Sequence, residues 1–230
     1  MSEISKNELQ EAYWKHLLIE GLRPKSVYAF MDAMEREEAE FYQSFSSLES
    51  LEAGYWQATV DETINVLEKD DEYMDYPADQ KLLAFFFTYI THIQGSRSRF
   101  VGYFPKSKSM MGMGCHGDSL KGLRTSFKGF AKAIVQEGVQ QGIFADRKKL
   151  LDHYDRFIYM HFIGIIQFYI KDDSPEFQDT DAFIEKSTHF GIQSAKDGVL
   201  ESGFDLVRFM AGKDDRFQEL SKLISKFIPK

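Results

Sequence analysis

The chain is expected to be all-α, with about ten or eleven helices. Three observations predict this. Apolar residues recur at helical spacing along most of its 230 residues, no segment sustains the two-residue alternation of a half-buried strand, and only five prolines interrupt the run. No internal repeat is visible. An apolar content of 43% with 28% charged residues is that of an ordinary globular chain, long enough for one or two compact domains. Twenty-one Phe and eleven Tyr at helical spacing place aromatic rings at the centre of the core.

The elements follow in order. Leu9, Ala12, Tyr13, Leu17 and Leu18 form one stripe between Asn7 and Glu20, with Ser5 placed to cap it and Gly21 to end it. Pro24 suits the first turn of a second, short helix whose apolar face is Val27, Phe30, Met31 and Met34. Glu37–Tyr42 makes a third of barely two turns. Ser46 or Ser47 caps a fourth, with Glu49 near the capping-box spacing and Leu48, Leu51, Tyr55, Val60, Ile64 and Leu67 inside. The charged run Glu68–Gln80, closing on a proline, reads as a loop between a small head and a larger body. From Lys81 to Gln94 the chain is apolar nearly all round, as a helix at the centre of a body would be. A short helix follows from Ser96 to Phe104, ending at Pro105.

Lys106–Gly117 is Gly- and Met-rich without a period, and reads as a loop or the rim of a pocket. Ser119–Ile143 forms a long amphipathic helix through Leu123, Phe127, Phe130, Ile134 and Val135, stopping near Gly142. Asp146 caps the longest helix, to about Lys171, which Ser174-Pro175 breaks. Another helix spans Thr180–Leu200, and a pair near Phe204–Met210 and Arg216–Phe227 closes the chain.

Charge and cysteine narrow the function classes. A formal charge of −8 and a pI near 5.3 repel phosphate backbones and anionic membranes unless a local basic patch intervenes. The single cysteine, Cys115, forms no internal disulfide and suits a reducing cytoplasm, and the polar N-terminus is not that of a signal peptide. The apolar run 157–170 is broken by His161 and Gln167 and is too short to span a bilayer.

Met110, Met111, Met113, Cys115 and His116 have the soft donors that select Cu(I), yet they lack CxxC or HxxxH spacing, and Met-rich loops also rim apolar pockets. No metal or other cofactor is expected. Ser126, Asp155 and His161 combine into a triad only on paper, and no phosphate loop or carboxylate pair stands out, so no enzymatic activity is expected. The body's aromatic excess, with Tyr89, His92, His161, Gln167 and Tyr169 as inward polar groups and Phe127 and Ile165 as apolar lining, has the composition of a small-molecule cavity. A solid core has the same composition. A mid-stripe histidine such as His161 is more often a satisfied core residue than a ligand contact.

Ala12 and Gly21, Ser26-Val27 and Ala29-Phe30, and above all Phe41-Tyr42-x-x-Phe45-x-Ser47-x-Glu49 leading to Leu51, together resemble the TetR family of transcriptional regulators over about the first fifty-five residues. A weaker likeness is Gly142-Ile-Phe-x-Asp146 before a long helix. The resemblance implies a helix-turn-helix head over residues 1–50 and a helical ligand-binding and dimerisation body over 51–230. It implies a homodimer joined through the last long helices, with Phe183, Ile184 and Phe190 at the interface. Each head would set its third helix in a DNA major groove, with Arg23, Lys25, Ser26, Arg36 and Tyr42 in contact and Tyr42 on a phosphate. The ligand residues would be Tyr89, His92, Phe127, His161, Ile165 and Gln167, around an apolar small molecule or lipid.

The head departs from the family where DNA would be touched. Glu35 stands at the turn that usually holds glycine, Leu48 where a phosphate-reaching lysine stands, and Ser44 where histidine is common. Between Pro24 and Phe45, Lys25 and Arg36 stand against Asp32, Glu35, Glu37, Glu38 and Glu40, a net charge of −3. Phosphate neutralisation supplies most DNA affinity, so the sequence also admits a TetR-fold lipid- or isoprenoid-binding accessory protein that does not bind DNA. A helical scaffold with neither ligand nor DNA is the third possibility.

Overall fold

The computed structural model describes residues 4–104, 120–144 and 148–197. Pro105, the Met110–His116 cluster, Asp146, the side chain of Asp155 and the two C-terminal helices expected near Phe204–Met210 and Arg216–Phe227 lie outside the described residues. The described residues are helical throughout, without a strand. The helices are α1 Lys6–Glu20, α2 Val27–Ala33, α3 Glu38–Tyr42, α4 Leu48–Leu67, α5 Asp71–Met74, α6 Ala78–Ile93, α7 Arg97–Tyr103, α8 Lys121–Gln140, α9 Lys148–Tyr169 and α10 Gln178–Asp197. None of them is long and apolar enough to cross a membrane.

Local chemistry sets most of the ends. Ser5 caps α1 in a reciprocal box with Glu8, whose carboxyl is held below its ordinary pKa by the Ser5 backbone N–H and then the Ser5 hydroxyl. Gly21 closes α1 in the left-handed region at φ 70°, with its N–H on the Leu17 carbonyl. Ser26 caps α2, its hydroxyl accepting from the Ala29 N–H at 3.1 Å. Pro24 therefore lies in the connector ahead of the cap and not in the first turn, because the serine two residues on offers the better acceptor. Ser47 caps α4, and its box partner is Ser50, not Glu49, since only residue 50 occupies the third helical position. The Glu68–Gln80 run contains α5, started by the Asp70 side chain on the Glu72 N–H, so it is not wholly a loop.

The chain divides into two compact units. The division falls within α6, α8 and α9. The first unit holds Met1–Lys69, Thr88–Phe127 and Ile166–Asp172. Its core is a relay of rings. Tyr13 of α1 meets Phe30 of α2 edge-on at 5.9 Å, and Phe30 meets Phe41 of α3 at 6.3 Å. On the other side of α1, Trp14 packs on Trp56 of α4 at 5.1 Å, and Trp56 on Phe100 of α7 at 4.9 Å. Edge-to-face pairs of this kind add about 0.5–1.5 kcal/mol each beyond their burial. α8 meets α4 at Gly122, where a Cβ would lie 2.0 Å from the Ala53 carbonyl oxygen, so only glycine fits. Arg97 of α7 binds the end of α9, donating to the carbonyls of Tyr169, Ile170 and Asp172 at 3.3, 3.3 and 2.9 Å. A guanidinium there satisfies carbonyls that the helix itself leaves open.

The second unit holds Asp70–Phe87, Lys128–Ile165 and Asp173–Lys230. Phe85 stacks on Phe130 at 4.4 Å, and Phe86 lies parallel to Phe162 at 6.2 Å. Gln141 accepts the Ala78 N–H at 2.9 Å, closing the start of α6, while Lys81 pairs with Glu137 at 2.8 Å. Gly142 turns the chain at φ 71°, in the left-handed region that the end of α8 requires.

Candidate functional site

The head carries the first candidate site. α2, a tight turn and α3 follow one another with Phe30, Met31 and Phe41 buried beneath them and Tyr28 and Tyr42 exposed. At the turn, Glu35 adopts φ 55°, the conformation that glycine takes without strain and a glutamate does not. Its N–H still donates to the Asp32 carbonyl at 3.0 Å, and that of Arg36 to Met31 at 3.0 Å.

The five residues expected at DNA have these surroundings. Arg23 donates to the buried Glu52 and, at 3.4 Å, to Glu49. Burial alone would lower its pKa, but the Glu52 carboxylate outweighs that and holds the guanidinium firmly charged. Arg36 pairs with Glu40 at 3.0 Å, one turn along. The Tyr42 hydroxyl donates to Glu38 at 3.0 Å, a bond that raises the phenol's pKa. Ser26 is engaged as the α2 cap. Lys25 is exposed and makes no ion pair among the described residues. Glu37 starts α3, its N–H donating to Glu40 at 3.2 Å. Leu48, at the position of the family's lysine, is buried.

The residues expected at a ligand are distributed as follows. In the first unit, Tyr89 and Phe127 are fully buried, and the Tyr89 hydroxyl lies 3.2 Å from that of Thr59. Gln167 is buried, as is Tyr169, whose phenol burial pushes up to about 12 against the opposing charge of Arg97. His92 does not point inward. It lies on the outer face of α6 with Nε2 3.1 Å from the exposed carboxylate of Glu62, because the aromatic run Phe85–Tyr89 fixes the opposite face against the core.

In the second unit, Ile165 is fully buried, and His161 sits edge-on to Phe86 at 5.0 Å with Nε2 2.7 Å from Ser187 Oγ. Burial lowers the His161 pKa to about 4. Of the interface residues, Ile184 turns inward and is fully buried, Phe183 is half-buried, and Phe190 is 68% exposed.

Two clefts open in the described residues. One, of about 450 Å³, runs in the second unit between α6 and α10, lined by Asp79, Leu83, Glu185, Thr188, His189 and Ile192 among others. The other, of about 480 Å³, lies in the first unit between α1 and α7, beside Glu11, Trp14, Lys15, Leu18, Ile19 and Arg99. Neither is lined by the residues expected at a ligand.

A cluster that sequence reasoning missed lies around Glu52. This glutamate has no exposed surface and accepts from Tyr13, Arg23 and Tyr103. The signal was present, since Leu48, Glu52, Trp56, Thr59 and Thr63 share one buried stripe of α4, but a lone carboxylate in such a stripe is easily read as solvated.

No curated protein matches the chain. A family model, the tetracyclin repressor-like C-terminal domain, matches residues 81–210, more than half of its length. That span covers α6 to α10, behind a head whose α2 and α3 form a helix-turn-helix. The chain belongs to the tetracycline repressor-like family.

Proposed function

We propose that the protein is a dimeric transcriptional regulator whose helix-turn-helix head engages DNA and whose body takes an apolar small molecule or lipid. The observation that carries the reading is the joint occurrence, in one chain, of the family's C-terminal domain and a head in which α2, a left-handed turn at Glu35 and α3 pack on α1. Phe190, a large apolar side chain exposed on α10, supports association through that helix, with Phe183 beside it. The buried rings around Tyr89 and Phe127 in one unit, and around His161 and Ile165 in the other, support an apolar ligand. Lys25 and the exposed Tyr42 ring are the head's contacts, aided by the backbone N–H groups at the start of α2.

Titration of the chain's own upstream DNA at rising salt tests this. Four phosphate contacts from a dimer's two heads correspond to a log–log slope of about −3.6. Absence of any complex at low salt refutes DNA binding.

One observation favours a second reading. Arg23, Arg36 and Tyr42 are already engaged by carboxylates, and the Pro24–Phe45 segment carries a net −3. A head of that kind is a structural cap on a lipid- or isoprenoid-binding accessory protein. Native mass spectrometry of freshly purified chain separates the two: a retained lipid together with no DNA complex selects the accessory role.

A further inference from the structure

A carboxylate removed from water persists only where donors replace the water. Glu52 has three. Tyr13 of α1 donates to Oε1. Arg23, in the connector between α1 and α2, and Tyr103, the last residue of α7, both donate to Oε2, Tyr103 at 3.0 Å. Trp14 walls the cluster, with its ring 5.6 Å from those of both Tyr13 and Tyr103, and Trp56 lies 4.9 Å from Tyr103. Burial raises the Tyr13 pKa and the bond to Glu52 raises it further, so the phenol remains a donor at any physiological pH.

The position of these groups in the chain matters as much as their geometry. Tyr103 lies within the span matching the C-terminal domain, whereas Tyr13, Arg23 and Glu52 precede it. Arg23 stands three residues ahead of Ser26, the cap that starts α2. One buried carboxylate thus ties the end of a body helix to the segment that launches the helix-turn-helix.

We infer that Glu52 is the positioning residue of the head, through which the placement of α7 sets the pose of α2 and α3. This rests on the regulator reading for its consequence, but the clamp itself does not. Arg23 acts within the clamp and is not a phosphate contact.

Two variants of the full chain test it. Tyr103→Phe deletes one hydroxyl and keeps the ring packed between Trp14 and Trp56. Losing one hydrogen bond to a charge should raise amide exchange in α1 and the 21–26 connector about tenfold. Amides of α10, in the other unit, should keep their rates. A rise spread evenly over both units, or no change in α1, would overturn the clamp.

Arg23→Gln should weaken binding to upstream DNA while leaving its salt slope unchanged, because a guanidinium neutralised by Glu52 releases no counterion. A slope shallower by about 0.9 would make Arg23 a phosphate contact and sink its assignment to the clamp. If Tyr103→Phe shows the localised exchange and no DNA is bound at low salt, the regulator reading fails and the clamp stands.

Discussion

Replacing His161 with glutamine should remove much of the acid sensitivity of the unit built on Phe85, Phe86 and Phe162. Ser187 uses its one hydroxyl proton on the Phe183 carbonyl, at 2.6 Å, so the imidazole 2.7 Å away must donate to Ser187 Oγ. That assigns the neutral ring with its proton on Nε2. Burial accordingly lowers its pKa to about 4, from an ordinary value near 6.5. The unfolded chain therefore takes up the proton at higher pH than the folded one. Stability from this residue is complete above pH 6.5 and is lost as pH falls toward 4. Over the whole window the 2.5-unit difference is worth about 3 kcal/mol, and about 2.5 kcal/mol of it is gone by pH 4.5. Urea unfolding of the wild type and His161→Gln at pH 7.5 and about 4.5 isolates the term, since carboxylates shared by both chains cancel. The wild type should lose about 2.5 kcal/mol more than the variant. Parallel losses would mean that His161 is solvated or charged in the folded state, and the reasoning would fail.

Gly122→Ala should destabilise by about 3 kcal/mol, because its Cβ would lie 2.0 Å from the Ala53 oxygen and 2.8 Å from the Ala53 carbonyl carbon, backbone atoms that cannot swing aside. An unchanged melting point would refute that close approach of α8 to α4. Glu35→Gly should stabilise by up to about 1 kcal/mol, since it relieves a left-handed glutamate at φ 55°, and a lower denaturation midpoint would contradict this. Phe190→Asp should turn dimers into folded monomers by light scattering, the side chain being 68% exposed on its own chain. Dimers that persist would move the interface off this part of α10. Ile184→Asp is no substitute for that test, because Ile184 is fully buried and a charge there unfolds the chain before it separates any partner.

What was legible in the sequence was what neighbours in sequence decide. Ser5 with Glu8 and Gly21 with its left-handed φ are settled within one helical turn, and both ends of α1 fall within a residue of where the pattern put them. The Phe41, Phe45 and Leu51 spacing was readable for the same reason, each position following from helical period and a buried face. Glu52 was not readable. Two of its partners lie 39 and 51 residues away along the chain, and nothing local distinguishes it from Glu49, three residues earlier and exposed. His92 and His161 show the other limit. Both sit in apolar helices, but α6 is apolar almost all round, so periodicity gives no phase from which to tell the His92 side from the core side. The contact of Gly122 with Ala53 was equally silent, since glycine in a helix signals only that something is close, never what.

The head shows why fold and DNA activity separate in such a chain. The family pattern is carried by Phe30, Phe41 and Leu51, which are buried, and substitution there would leave cavities costing about 2–5 kcal/mol each. Surface positions face no such penalty, and there the chain carries Glu35, Glu37, Glu38 and Glu40. Two of the four are integrated into local structure: Glu40 closes the start of α3 and holds Arg36, while Glu38 takes the Tyr42 hydroxyl. Reversing one charge would therefore not restore a basic face, because Arg36 would have to leave Glu40 and Tyr42 would have to leave Glu38 before either reached a phosphate. The one arginine ahead of α2, Arg23, is held by Glu52 as part of the clamp to α7. Any DNA affinity must then come from Lys25, backbone N–H groups and the pose that Glu52 enforces. Such a head gains little from general attraction to phosphate and depends on correct placement, which a shift of α7 can remove.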